Sequence, residues 1–134
     1  MERTTEIIHK RIEKILAYFI DVLNLQEWNY TVKFEEKLDD DIAASVIVDD
    51  DYLSFSVFFD SEKIKDTVKD KDYDEVTRWI LHELIHVIVD PLYFIAVDGV
   101  TNTSIKFLKQ KRENTVERFT NIIMKGVKVS KLWR

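Results

Sequence analysis

The chain has 134 residues, a formal net charge of -5, no cysteine, two glycines and one proline. That length fits one domain, residues 1–134, and a hydrophobic content of 46% can fill its core, while so few glycines and prolines exclude a disordered or loop-dominated chain. Without cysteine there are no disulfides and no thiolate ligands, so any metal must be held by histidine, carboxylate and water. The acidic balance and the lack of a basic stripe exclude nucleic-acid binding through phosphate neutralisation.

The first element is an amphipathic helix. Ile8, Ile12, Ile15, Leu16, Phe19 and Leu23 recur at three- and four-residue steps, with Glu6, Lys10, Arg11, Glu13 and Lys14 between them. His9 falls among the charged residues and reads as an exposed position. The N-terminus, beginning Met1-Glu2-Arg3, leads into this charged helix without a secretory signal, and no unbroken apolar run approaches the ~18–20 residues that cross a bilayer. The expectation is a cytoplasmic protein with no membrane partner.

From Trp28 the period changes to two. Trp28, Tyr30, Val32 and Phe34 predict a half-buried strand; Ile42, Ala44, Val46 and Val48 a second; and Leu53, Phe55, Val57 and Phe59 a third, the last two paired as a hairpin. Asp39-Asp40-Asp41 and Asp49-Asp50-Asp51 read as solvated connections, since their spacing does not match a calcium loop. Residues 61–71 suggest a short helix with Ile64 and Val68 on one side. Asp72 followed by Glu75 marks a helix start near Tyr73, and Pro91 ends or kinks that helix at about Asp90. Ile105, Leu108, Val116, Phe119 and Ile123 trace a C-terminal helix facing the core, with a polar interruption around Lys109 to Arg112.

The helix from Tyr73 contains His82-Glu83-Leu84-Ile85-His86, flanked by Trp79, Ile80, Leu81, Val87, Ile88 and Val89. In a helix the two histidines lie one turn apart on one face. Neutral imidazoles so spaced can ligate one zinc ion, and Glu83 beside them can take a proton from an activated water. A helix apolar nearly all round is a buried helix, so these polar groups need partners.

A catalytic zinc generally takes three protein ligands. With no further histidine downstream, the third must be a carboxylate. Asp90 is the local candidate, four residues after His86, but three donors in a row along one helix strain a tetrahedral site and make Asp90 equally a helix-end or supporting residue. Glu113 and Glu117 lie one turn apart on the C-terminal helix. The spacing favours Glu113 as the ligand and Glu117 as the group orienting a ligating histidine, with the reverse assignment open. Alternatively the pair forms a solvated face with Arg112 and Arg118.

His82-Glu83-Leu84-Ile85-His86 followed by Glu113-x-x-x-Glu117 resembles the gluzincin pattern, in its small size the ImmA/IrrE type and the metallopeptidases of phages and prophages. Glu117 stands where that family more often has aspartate. The resemblance spans residues 28–123, with only the motif being specific. It implies an α+β, zincin-like fold: an N-terminal helix, a three-stranded or slightly larger and mostly antiparallel sheet, the motif helix and a C-terminal helix. It also implies a cleft edged by a strand, either residues 42–48 or 53–59, that pairs with an extended peptide. The implied activity is zinc-dependent hydrolysis of peptide or protein substrates, with Glu83 as general base. An oxyanion-stabilising histidine or tyrosine is common in the family, and Tyr93 is the available stand-in. Two other readings remain: a non-catalytic zinc-binding accessory protein of phage or mobile-element origin, and an interaction domain whose histidines are structural.

Overall fold

The computed structural model describes residues 2–39 and 41–134; Met1, at the expected signal-free N-terminus, and Asp40, in the expected acidic connection, lie outside them. The order is α1 (Glu2–Val22), β1 (Asn29–Glu35), β2 (Ala44–Asp49), β3 (Ser54–Asp60), α2 (Ser61–Lys69), α3 (Tyr73–Val97), α4 (Asn102–Met124) and α5 (Val129–Leu132). The fold is α+β. β3 takes the centre of the sheet because its alternate residues Phe55, Val57 and Phe59 are the most apolar set available, and all three are buried. β2 pairs with it antiparallel as the expected hairpin. β1 pairs with it in parallel, so the sheet is mixed, where a mostly antiparallel one was expected. The reason is topological: the chain leaves β1, crosses to the far edge as β2 and turns back into the middle.

Ile12, Ile15, Leu16 and Phe19 of α1 meet Val76, Ile80, Leu81 and Leu84 of α3 in the core. α1 stops at a left-handed residue, Asn24 (φ 60°), and the Leu25 N–H closes onto the Ile20 carbonyl at 2.9 Å. α3 begins where the sequence places it, with the Asp72 carboxylate accepting from the Glu75 N–H at 3.3 Å. It does not end at Pro91. The helix carries this proline internally and runs to Val97; a single proline removes one backbone donor, and α4 packing back along α3 supports the turns beyond it. Gly99 (φ 78°) supplies the left-handed turn between the two helices. α3 is long and apolar enough to cross a membrane by length and composition.

α4 is continuous through residues 109–112. It buries Val116 and Thr120 and packs Ile123 and Met124 against the edge of the core, whereas Phe119, expected to face inward, is exposed. Beyond α4 the tail folds back, the Trp133 indole donating to the Thr77 hydroxyl at 2.7 Å and stacking on Tyr73. His9 is not an exposed position. It is half-buried, stacked on Phe34 at 3.7 Å and bonded to the Ser61 hydroxyl at 3.0 Å. Burial, with help from Lys65 and against Glu13, holds its pKa below the ordinary histidine value.

Asp60 joins the sheet to α2. Its carboxylate is 1% exposed and accepts from the backbone N–H of Lys63 at 2.9 Å and of Leu38 at 3.1 Å. Burial pushes its pKa up, but the backbone donors and the Lys63 charge outweigh that and bring it below the usual value. Because the folded-state pKa is depressed, the stabilisation is present above the unfolded value and is lost as pH falls through the folded one. Asp60→Ala should therefore lower the unfolding free energy by about 1–3 kcal/mol at neutral pH. Urea melts should show this difference shrinking as the pH is lowered below the ordinary aspartate range.

Candidate metal centre

α3 presents Arg78, His82, His86 and Asp90 at successive four-residue steps, and α4 returns alongside with Glu113 and Glu117 one turn apart. The contacts between these two rows are specific. His82 Nδ1 lies 3.1 Å from Glu117 Oε2, and His86 Nδ1 lies 2.9 Å from Asp90 Oδ1. A carboxylate can only accept, so each Nδ1 carries the proton and each neutral imidazole has its lone pair on Nε2. Both Nε2 atoms face Glu113 Oε2, at 3.8 Å from His82 and 3.5 Å from His86.

Each supporting carboxylate has an arginine behind it. Glu117 Oε1 accepts from Arg78 Nη1 at 3.0 Å, and Arg78 also donates to Asn121 Oδ1. Asp90 Oδ1 lies 3.9 Å from Arg112 Nε, while Arg112 Nη2 donates to Glu113 Oε1 at 3.3 Å. The Arg112 guanidinium stands over the Tyr93 ring at 4.3 Å. Glu113 is thus held by one oxygen and presents the other to the imidazoles.

This donor set fits a cation. For metal–nitrogen and metal–oxygen bonds of about 2.0–2.2 Å, a tetrahedron has donor–donor edges of about 3.4 Å. The two Nε2–Oε2 separations sit slightly above that edge, and His82, His86 and Glu113 each offer a ligand atom within 4.8 Å of the others. These three residues could hold a metal ion.

The titrations reflect the same crowding. Burial and the neighbouring His86 lower the pKa of His82, against Glu117 and Glu113. For His86 burial also acts downward, but the hydrogen bond and charge of Asp90, with Glu83 and Glu113, raise it. The Glu83 carboxyl is pushed up to about 8 by burial, with Glu113 and Asp90 adding to the rise and His86 opposing it. A carboxyl in that range can gain and lose a proton near neutrality.

The centre opens on a cleft between β2 and the α3–α4 pair. Adjoining cavities of 640 and 360 Å³ share Ile42, Ala44, His82 and Glu83, with Arg78 and Trp79 in the larger and Arg112 and Glu113 in the smaller. Of the two strands considered for the cleft edge, β3 is central and β2 is the one with a free edge here. Tyr93 does not line this cleft; it lies under Arg112 and borders a separate crevice with Leu92 and Leu108. Arg78 and Asn121 escaped the reading of the sequence, although continuing the four-residue step backward from His82 reaches Arg78. Glu117 pairs with Arg78 instead of Arg118.

Comparison with models of protein families, with curated proteins and with solved structures yields no match.

His82→Ala should abolish tight metal binding, whereas Glu117→Gln and Asp90→Asn should retain a bound metal with affinity lowered about 10–100-fold. Chelator competition measures all three. Unchanged affinity in His82→Ala would remove that imidazole from the coordination sphere.

Proposed function

We propose that the protein is a zinc-dependent peptidase of gluzincin-like type, with zinc held by His82, His86 and Glu113. The observation that carries this reading is the orientation of the two imidazoles: each Nδ1 is backed by a carboxylate, and each Nε2 is turned to the same oxygen of Glu113. Two nitrogens and one carboxylate oxygen, with no thiolate in the chain, are the ligand types of a hydrolytic zinc site. When bound there, zinc supplies a Lewis acid that acidifies water and polarises a carbonyl.

The remaining chemistry belongs to the chain. Glu83 sits beside both imidazoles at the cleft wall and is the base that receives the proton of the attacking water and delivers it to the leaving amine. Glu117 and Asp90 hold the imidazoles in the Nδ1–H tautomer, and Arg78 and Arg112 hold those carboxylates in turn.

The free edge of β2 supports a peptide substrate. The Ala43 carbonyl accepts from the Asp60 N–H at 2.8 Å, so Ala43 faces β3. By the alternation of an antiparallel ladder, the backbone groups of Ala44 and Val46 face outward along the cleft. An extended peptide adding to that edge would lay a backbone carbonyl beside the metal centre.

Glu83→Gln should keep zinc at wild-type stoichiometry and lower peptide cleavage by about 10²–10⁴-fold. Metal analysis and cleavage of a casein-derived peptide mixture, run on the same preparations, separate the two effects. Zinc retained with no cleavage by either wild type or variant would point to the non-catalytic zinc-binding reading. Cleavage undiminished in Glu83→Gln would remove Glu83 as the base.

A further inference from the structure

Past His86 the surroundings of α3 change. The side buried in the core through Val87 continues as Ile88, Leu92 and Ile95 at helical steps, yet these residues are 45%, 70% and 72% exposed. Residues 91–97 contain no charged side chain, and Phe94 on another side of the helix and Phe107 on α4 are exposed as well. Leu92, Ala96 and Leu108 border an apolar crevice of 250 Å³ together with Lys111. Grouped apolar exposure of this kind marks a docking surface.

Charge identifies what would cover it. Between Pro91 and Lys111 there are three lysines, Lys106, Lys109 and Lys111, against the single acid Asp98, in a chain whose net charge is -5. All three lysines are exposed. A second copy docked across a two-fold axis would set this cationic patch against itself. A partner helix would need one apolar stripe, whereas here apolar side chains leave α3 in more than one direction. Acyl chains surround what they bury, and anionic headgroups complement lysines beside an apolar surface.

We propose that the outer half of the α3–α4 hairpin docks into the interface of an anionic lipid bilayer. The exposed apolar stretch of α3 runs from Ile88 to Ile95, about two turns, and the turns before it are buried in the core, so the contact is peripheral, with the side chains of Leu92 and Ile95 among the acyl chains and the lysines at headgroup level. Arg112 borders both the apolar crevice and the cleft of the metal centre, but none of the apolar or lysine side chains invoked is one of the proposed metal ligands or their hydrogen-bond partners.

Flotation of the full chain with phosphatidylcholine–phosphatidylglycerol vesicles, roughly three to one, tests the proposal against vesicles of phosphatidylcholine alone. The protein should float with the anionic vesicles and bind the neutral ones at least about tenfold more weakly. Leu92→Asp/Ile95→Asp should abolish flotation with an unchanged circular-dichroism spectrum, since both side chains are exposed. Lys106→Glu/Lys109→Glu/Lys111→Glu, which leaves the apolar residues intact, should weaken it at least about tenfold. Absence of wild-type flotation on anionic vesicles overturns the proposal, as does undiminished flotation of either variant. A wild-type dimer in sedimentation equilibrium that Leu92→Asp/Ile95→Asp converts to monomer would assign the surface to a second copy and likewise overturn it.

Discussion

Two imidazoles in the middle of a core helix each have two ring nitrogens, and the burial of α3 requires both to be satisfied. Water can do this only where it reaches, and His86 is 7% exposed. The supporting carboxylates come from two elements: Asp90 from the next turn of α3, and Glu117 from α4. Once each Nδ1 is committed, each Nε2 is left facing a single oxygen of Glu113. The pairing of α3 with α4 therefore sets the geometry of the candidate metal centre. The Gly99 turn and the core contact of Val116 contribute to the site by setting that pairing.

The same arrangement has an electrostatic consequence. Glu83, Asp90, Glu113 and Glu117 crowd around two imidazoles, with Arg78 and Arg112 as the permanent cations ion-paired to three of these four carboxylates. Burial, with the charges of Glu113 and Asp90 adding to it and His86 opposing, displaces the Glu83 carboxyl to about 8. A bound divalent cation would offset that repulsion and stabilise the folded state by linkage. Arg112 is held by a ring face, an ion pair and a hydrogen bond at once, so the oxygen it leaves to the imidazoles is held in a defined place.

The elements of the fold were legible where local rules decide them. The period of α1, the alternation in β3 and the Asp72 cap are written in consecutive residues. Tertiary context decided the rest. β1 joins β3 in parallel because of a crossover that no strand pattern encodes, and Pro91 lies within α3 because α4 supports the turns around it. Phe119 matched an inward period, but the body of the protein does not extend to cover it. At the site, the histidines and Glu83 stand out as a motif, and the one-turn spacing of Glu113 and Glu117 singled out the pair. The backing arginines were harder to see, since a charged residue four positions before a motif also describes any solvated helix face. His9 shows the opposite error: charged neighbours suggested exposure, and Phe34 from a distant strand buries it.

In the proposed site His82 Nε2, His86 Nε2 and Glu113 Oε2 converge on one zinc ion. Anomalous diffraction collected on either side of the zinc absorption edge from crystals grown with zinc tests it directly. One strong difference peak is expected about 2.0–2.2 Å from each of those three atoms, with Asp90 and Glu117 remaining on the imidazole Nδ1 atoms. A peak bonded to Asp90 or Glu117 in place of Glu113, or no peak between α3 and α4, would contradict it.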